Sequence, residues 1–304
     1  MKRFFRIFFI LILLMTLCGI LFLSKVYFDT KSTFNDTYNP IERESQVKQD
    51  INKTKPISVL LLGTDTGDLG RNGVGRTDTI VVAILNPKEE RTTLVSIPRD
   101  TYTEIYNKGI NDKINHAYAY GGVSMTLPTV ENLLNISIDY YIETNLLGIK
   151  KIIDIIGDID VNNKFSFNYE GTYFPIGKIK LNGEKALKYS RMRYDDPDGD
   201  YGRQSRQREV LTGIINKLNN VNNIFEYKNI LNVVGSNLKT DLSWSEIKKI
   251  VPNYDKALKN IDSDQLKGEN FTGNGEVGEQ GISYQKINDE ELKRIQEKLK
   301  KQLS

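Results

Sequence analysis

Ile57-Ser-Val-Leu-Leu-Leu-Gly-Thr-Asp65 and Arg76-Thr-Asp-Thr-Ile-Val-Val-Ala-Ile-Leu85 each set a short apolar run beside a charged end. The first run stops at Gly63, and the second, Thr79 to Leu85, stops at Asn86-Pro87. Arg91-Thr-Thr-Leu-Val-Ser-Ile97 alternates and ends at Pro98. Runs this short, β-branched and closed by Gly or Pro read as strands, two of them buried on both faces. Ile138-Asp-Tyr-Tyr-Ile142 reads as a fourth strand. Helical spacing follows at 124–135, at 145–156 ending on Gly157, and from about Tyr201 to Leu218, and Ser243-Trp-Ser-Glu246 opens another helix as a capping box. Strands and helices intermix, so residues 56–255 are predicted to form one α/β layered domain.

Outward from that domain the composition changes. Residues 25–55 carry mixed charge, Thr, Ser and Asn without an apolar period, and read as a stalk. Before them, Ile7 to Leu23 is apolar apart from Thr16, Cys18 and Gly19. As a helix it spans roughly 25 Å, enough for a bilayer core. Lys2, Arg3 and Arg6 precede it, so residues 1–24 are expected to anchor the chain with its N-terminus inside and the domain outside. A cleaved signal peptide is the competing reading, but the run is longer than such a segment and lacks a small-residue cleavage site. Residues 256–304 read as an extension, a Gly- and Glu-rich loop followed by a charged helix from 288. One Cys and one His exclude a disulfide scaffold and a Cys/His zinc site. A net charge of +3 gives no reason to expect nucleic acid, and the few residues before the apolar run leave no room for a DNA-reading helix.

Three apparent motifs fail. Gly70-Arg-Asn-Gly-Val-Gly-Arg76-Thr77 approaches a Walker A loop but has Arg for Lys and feeds a strand. Asp196-Pro-Asp-Gly-Asp200 begins like a calcium loop, yet Tyr201 stands where Gly is needed and Gln207 where Glu is. His116 could be a base, but a lone His is more often a packed one.

A set of arginines and aspartates remains. Asp65 follows the first strand, Arg76 and Asp78 precede the second, and Arg99-Asp100 follows the third. Arg191 and Arg193 are two apart, while Arg203, Arg206 and Gln207 share one helical face. Six guanidiniums at strand ends and on one helix suit a pyrophosphate, because each planar fork pairs two oxygens and keeps its charge. Surface salt bridging explains any one of them but not the set.

Gly63-Thr-Asp65, Arg76-Thr-Asp-Thr79, Ser96-Ile-Pro-Arg-Asp100, Lys113-Ile-Asn-His-Ala-Tyr118, Ala186-Leu-x-Tyr-Ser-Arg191-x-Arg193 and Asp200-x-x-Arg203-x-x-Arg-Gln207 together resemble the signature blocks of the LytR-CpsA-Psr family. The resemblance covers roughly residues 56 to 220. It implies an α/β sandwich around a central mixed sheet flanked by helices, below a single N-terminal transmembrane helix. It also implies a magnesium-dependent phosphotransferase that moves a glycopolymer, of teichoic acid or capsule type, from undecaprenyl pyrophosphate to the N-acetylmuramic acid of peptidoglycan. Asp65 and Asp78 match the family's Mg2+ ligands, with Mn2+ as the alternative ion. Arg76, Arg99, Arg191, Arg193, Arg203 and Gln207 match its pyrophosphate contacts, and Arg99 joins the two aspartates as catalytic. Arg206 is a weaker match. The expected partners are the lipid-linked polymer, peptidoglycan and the bilayer, in a Gram-positive-type envelope.

The chemistry agrees, since a carboxylate-held hard cation and an arginine clamp stabilise charge at a pyrophosphate by position. The proton acceptor stays open between Asp100 and the metal aspartates. A lipid-pyrophosphate pyrophosphatase and a non-catalytic polyprenyl-phosphate or glycan receptor are the alternatives. The aliphatic stretch Leu146, Leu147, Ile149, Ile152, Ile153, Ile155 and Ile156 either lines a lipid groove or is core on two sides.

Overall fold

The computed structural model describes residues 24–33, 35–42, 54–65, 75–218, 233, 235, 237–275 and 280–304. Strands β1 (Ile57–Thr64), β2 (Thr77–Asn86) and β3 (Arg91–Ser96) form an antiparallel meander from the runs that opened the sequence reading. The hairpin β4 (Tyr102–Ile105) and β5 (Ile110–Lys113) leads into helix α1 (His116–Leu134). β6 (Tyr140–Asn145) returns parallel to β1, and helix α2 (Leu146–Ile156) follows at once. Four short strands come next: β7 (Ile159–Asn163), β8 (Phe167–Tyr169), β9 (Thr172–Phe174) and β10 (Gly177–Leu181), with β7 paired to β10 and β8 to β9. Helices α3 (Gly183–Arg191) and α4 (Asp200–Leu218) follow. β11 (Leu238–Thr240), α5 (Trp244–Asn253), β12 (Ile261–Gln265), the hairpin β13 (Glu269–Gly273) and β14 (Ile282–Lys286), and α6 (Asp289–Leu303) complete the chain.

The central sheet is mixed, in the order β11-β6-β1-β2-β3-β12, with β6 parallel to β1 and β12 parallel to β3. Strand alternation divides its side chains between two cores. Leu60, Leu62, Val82, Ile84 and Val95 meet Leu127, Val130 and Leu134 of α1 and Ile295 and Leu299 of α6. Val59, Val81, Ala83, Leu94 and Tyr140 meet Ile247 of α5 and Leu211 of α4 on the other face. Each such buried aliphatic stabilises the fold by about 1.5–3 kcal/mol relative to exposure. A third cluster, including Ile153, Phe167, Phe174, Tyr189 and Val210, ties α2, α3 and α4 to the short strands.

Several element ends differ from the sequence reading. α1 begins at His116 rather than Ser124, because Gly122 at φ 61° breaks one helix into two joined segments. α2 starts one residue late because Asn145 caps it, accepting from the Gly148 N–H at 2.7 Å. The capping box at Ser243 forms as read.

The boundary drawn after residue 255 does not fall at a seam, since β12 completes the sheet and α6 closes one core. The stretch read as a stalk is also partly folded onto the domain. Residues 24–33 are helical, Tyr27 packs edge-on against Trp244, and Asn39 N–H donates to Thr240 O at 2.7 Å. Among the described residues no helix is long and apolar enough to cross a membrane, and the apolar run 7–23 lies outside them.

Candidate active site

The ends of β1 and β2 bring the first two aspartates together. Gly63 pairs with Thr79 and Thr64 with Thr77, so Asp78 occupies a bulge in β2 and its side chain is re-aimed. The Asp65 Oδ1 accepts from the Arg76 N–H at 2.8 Å, and the Asp65 N–H donates to Arg76 O at 3.2 Å. Asp65 and Arg76 are thus joined through backbone, while the Arg76 side chain is exposed.

Asp78 leads directly to the arginines. Arg99, just beyond β3, donates from Nη1 to Asp78 Oδ1 at 2.6 Å. Its Nε faces Asp100 Oδ2 at 3.6 Å, and Lys113 Nζ grips Asp100 Oδ1 at 2.7 Å. From the other side, the start of α4 contributes Asp200 and Arg203, whose Nη2 lies 2.9 Å from Asp200 Oδ1. Arg193 Nε reaches the same oxygen at 3.5 Å, and Gln204 donates to Asp200 Oδ2 at 3.1 Å. Asp78, Arg99, Arg193, Asp200 and Arg203 form one electrostatic group. Burial pushes the Arg203 guanidinium down from its ordinary value, and Arg99 and Arg193 push the same way against the pull of Asp200 and Asp78. Partial burial would push Arg99 down as well, but Asp78, Asp100 and Asp200 together hold it above its ordinary value.

The group is incompletely satisfied. Nε of Arg99, Nε and Nη2 of Arg203, and Oδ1 of Asp200 are buried without a hydrogen bond of proper geometry. A buried polar atom left so costs about 1–3 kcal/mol, and native folds rarely tolerate several side by side. These guanidinium edges face aspartates without closing good hydrogen bonds, and they suit a ligand with several negative oxygens. The carboxylates of Asp65 and Asp78 are hard oxygen donors of the type Mg2+ takes in ones and twos, together with phosphate oxygens, so the residues fit that ion.

The other expected residues separate. Arg191 ends α3 and lies within electrostatic range of Tyr169. Gln207 is half-buried on α4. Arg206, grouped by helical spacing with Arg203, is an interior strut instead. It pairs with Asp196, donates to Met192 O and, at 2.8 Å, to Tyr189 O, and lies 5.3 Å from the Phe167 ring. Its contacts with Tyr189, Met192 and Phe167 place it in the third core.

Asp200 and Lys113 were not singled out from sequence. The i, i+3 spacing of Asp200 and Arg203 was the available signal for the first, whereas Lys113 meets Asp100 only through the β4–β5 hairpin. His116 is packed, as expected, with Nδ1 2.8 Å from Asp112 Oδ2. Burial would raise Asp112, but hydrogen bonds from Tyr120 and His116 bring it below its ordinary value. In α2, Ile153 and Ile156 are buried, while Leu146, Leu147 and Ile155 stay half-buried.

Comparison with known proteins identifies the fold and the family. The chain is 46% identical over 303 residues to the polyisoprenyl-teichoic acid–peptidoglycan teichoic acid transferase TagU of Enterococcus faecalis, covering 100% of this chain and 98% of that one. The crystal structure of Bacillus subtilis TagU superposes with a TM-score of 0.65 at 39% identity, covering 82% of this chain and 97% of that one. A structure of TagT bound to LIIa-WTA superposes with a TM-score of 0.71 at 31% identity, covering 86% and 99%. The LytR_cpsA_psr family model matches residues 24–301, and the chain belongs to that family.

Proposed function

We propose that this protein transfers an anionic glycopolymer of the teichoic acid kind from a polyprenyl-pyrophosphate carrier to peptidoglycan. The observation that carries the reading is the convergence of Arg99 and Arg203 on one electrostatic group, with buried guanidinium N–H groups that close no good hydrogen bond. The names of the TagU relatives and of the TagT complex supply the polymer and the acceptor.

In the reaction, the acceptor sugar hydroxyl attacks the phosphorus that bears the polymer. A new P–O bond forms, the bridging P–O bond breaks, the hydroxyl proton leaves, and polyprenyl phosphate departs. Arg99 and Arg203 meet the non-bridging oxygens, where charge grows, with donors already fixed in position and partly stripped of water. Asp78 orients Arg99 from one side and Asp100 from the other. Both oxygens of Asp100 face cations, Lys113 and Arg99, so it serves as a brace. Proton acceptance then falls to Asp65 or Asp78. Asp65 and Asp78 would hold Mg2+, which supplies further neutralisation of phosphate charge. The apolar run 7–23 would anchor the domain beside its lipid-linked donor, outside the cell.

The test is a transfer assay with the full chain in detergent, a polyprenyl-pyrophosphate-linked polymer and a peptidoglycan oligosaccharide. A covalent polymer–oligosaccharide product, lost on adding chelator, is the expected result. Polyprenyl phosphate released without that product would mean a pyrophosphatase, and binding without any turnover would mean a receptor.

A further inference from the structure

Tyr194 is 91% exposed, yet the loop that carries it is held as tightly as a core element. Arg206 ties the loop's start through Met192 O and its middle through the Asp196 carboxylate, both interactions buried. Asp196 N–H donates to Arg193 O at 3.3 Å, Asp198 N–H to Asp196 Oδ1 at 2.7 Å, and Gly199 N–H to Asp196 O at 2.9 Å. Gly202 is part of the same lock, because a Cβ there would come within 1.9 Å of Asp196 Oδ2. That bonding stabilises the fold, and it also fixes the position of one aromatic ring that points into water. Burying that ring would stabilise the protein, and leaving it out gains nothing.

Its neighbours suggest what it meets. Arg193, the preceding residue, belongs to the arginine group through Asp200. Asp195, the following residue, is an exposed carboxylate. Arg191 and Tyr194 both lie within electrostatic range of the Tyr169 hydroxyl, on the β8–β9 hairpin. Tyr169 is only half-buried, so two tyrosines stand on the solvent side near Arg191. An aromatic face next to a carboxylate is the pairing that suits a sugar. The ring covers the apolar C–H face of a pyranose, and the carboxylate accepts from its hydroxyls.

We infer that Tyr194 is the platform for the sugar directly bonded to the pyrophosphate, and so a specificity-determining residue of the donor site. This rests on the pyrophosphate reading of the arginine group. A sugar one bond from a phosphate held by Arg99, Arg193 and Arg203 lies within a few ångströms of those residues, and Tyr194 is the exposed ring attached to one of them. Arg206 acts at one remove, fixing the loop rather than touching the ligand.

Binding to the full chain in detergent would be measured by calorimetry with two probes. One is geranylgeranyl pyrophosphate, and the other is the same pyrophosphate bearing a single N-acetylglucosamine. Tyr194→Ala is expected to weaken the glycosylated probe about tenfold while moving the bare one less than about twofold, and Tyr194→Phe is expected to keep both affinities. With 91% exposure, neither variant removes core packing. Equal weakening of both probes by Tyr194→Ala, or of neither, would overturn the assignment. Loss in Tyr194→Phe equal to that in Tyr194→Ala would overturn the stacking role. If the unmodified chain bound neither probe, the pyrophosphate reading itself would fall, and the sugar platform with it.

Discussion

Arg203 and Arg206 stand three residues apart on α4, both buried, and the structure requires opposite outcomes when each is replaced by Met. Arg206→Met removes the cation paired with Asp196, whose side chain is 2% exposed, and strands two backbone carbonyls. Breaking a buried pair from one side costs about 3–5 kcal/mol. For a chain of this size that lowers the melting temperature by roughly 6–20 °C. Arg203→Met removes one ion pair but also a buried Nε without a hydrogen bond and a charge repelled by Arg99 and Arg193, while Asp200 retains Arg193 and Gln204. Those contributions offset one another to within about 1 kcal/mol. Arg203→Met is therefore expected to abolish transfer in a protein nearly as stable as the parent. Urea unfolding of the full chain, followed by the fluorescence of its single tryptophan, Trp244, measures both variants, with transfer assayed in parallel. Adding Asp196→Asn to Arg206→Met should recover part of the loss, because the stranded charge is then gone. Equal destabilisation by the two single substitutions would refute the division between strut and ligand. So would an unchanged urea midpoint in Arg206→Met.

Asp65→Asn and Asp78→Asn should each lower transfer by at least about a hundredfold with little change in melting temperature, since neither removes core packing. Full chelator-sensitive activity in both would end the metal assignment. Lys113→Met should lower kcat more than it raises KM, by about tenfold, as Asp100 loses its outer cation and Arg99 its alignment, and Lys113→Arg should restore most of it. Asp264 is held well below the usual carboxylate range; burial would raise it, but hydrogen bonds from Arg294 and Lys298 prevail. Its folded-state value lies below the unfolded one, so its stabilisation is present above about pH 4 and lost as the pH falls further. Asp264→Asn should lower stability by about 1 kcal/mol at pH 7 and flatten the acid dependence of the urea midpoint. A parallel fall in parent and variant would remove Asp264 from the account.

The sheet's centre was legible because β1, β2 and β3 are apolar runs closed by Gly, Asn-Pro or Pro. β12 was not, because Ile261-Asp-Ser-Asp-Gln265 carries a single apolar residue and joins by pairing its backbone with β3. The hairpin β13–β14 was hidden for the same reason, its Phe271 and Tyr284 stacking only once the strands are paired. At the site, residue type revealed the chemistry and spacing revealed part of the geometry. Asp78 and Arg99 meet through strand ends the sequence had already placed. Arg206 shared a helical face with Arg203 on paper, and only the positions of Asp196, Tyr189 and Met192 show that it turns inward. Lys113 comes to Asp100 through a four-residue hairpin strand too polar to be recognised alone.

The parallel seam between β3 and β12 also bears on the order in which the protein becomes competent. A chain made from its N-terminus completes β1, β2 and β3 early, and those strands can pair at once. The outer edge of β3 then stays unpaired until residue 265 has arrived. The loop bearing Arg99 waits longer still, because Asp100 O accepts from Gln285 N–H and the Asp112 carboxylate receives Tyr284. The bracing around Arg99 is thus finished only when β14 has been made. A nascent or prematurely terminated copy would carry every signature block and still lack the bracing that aligns them.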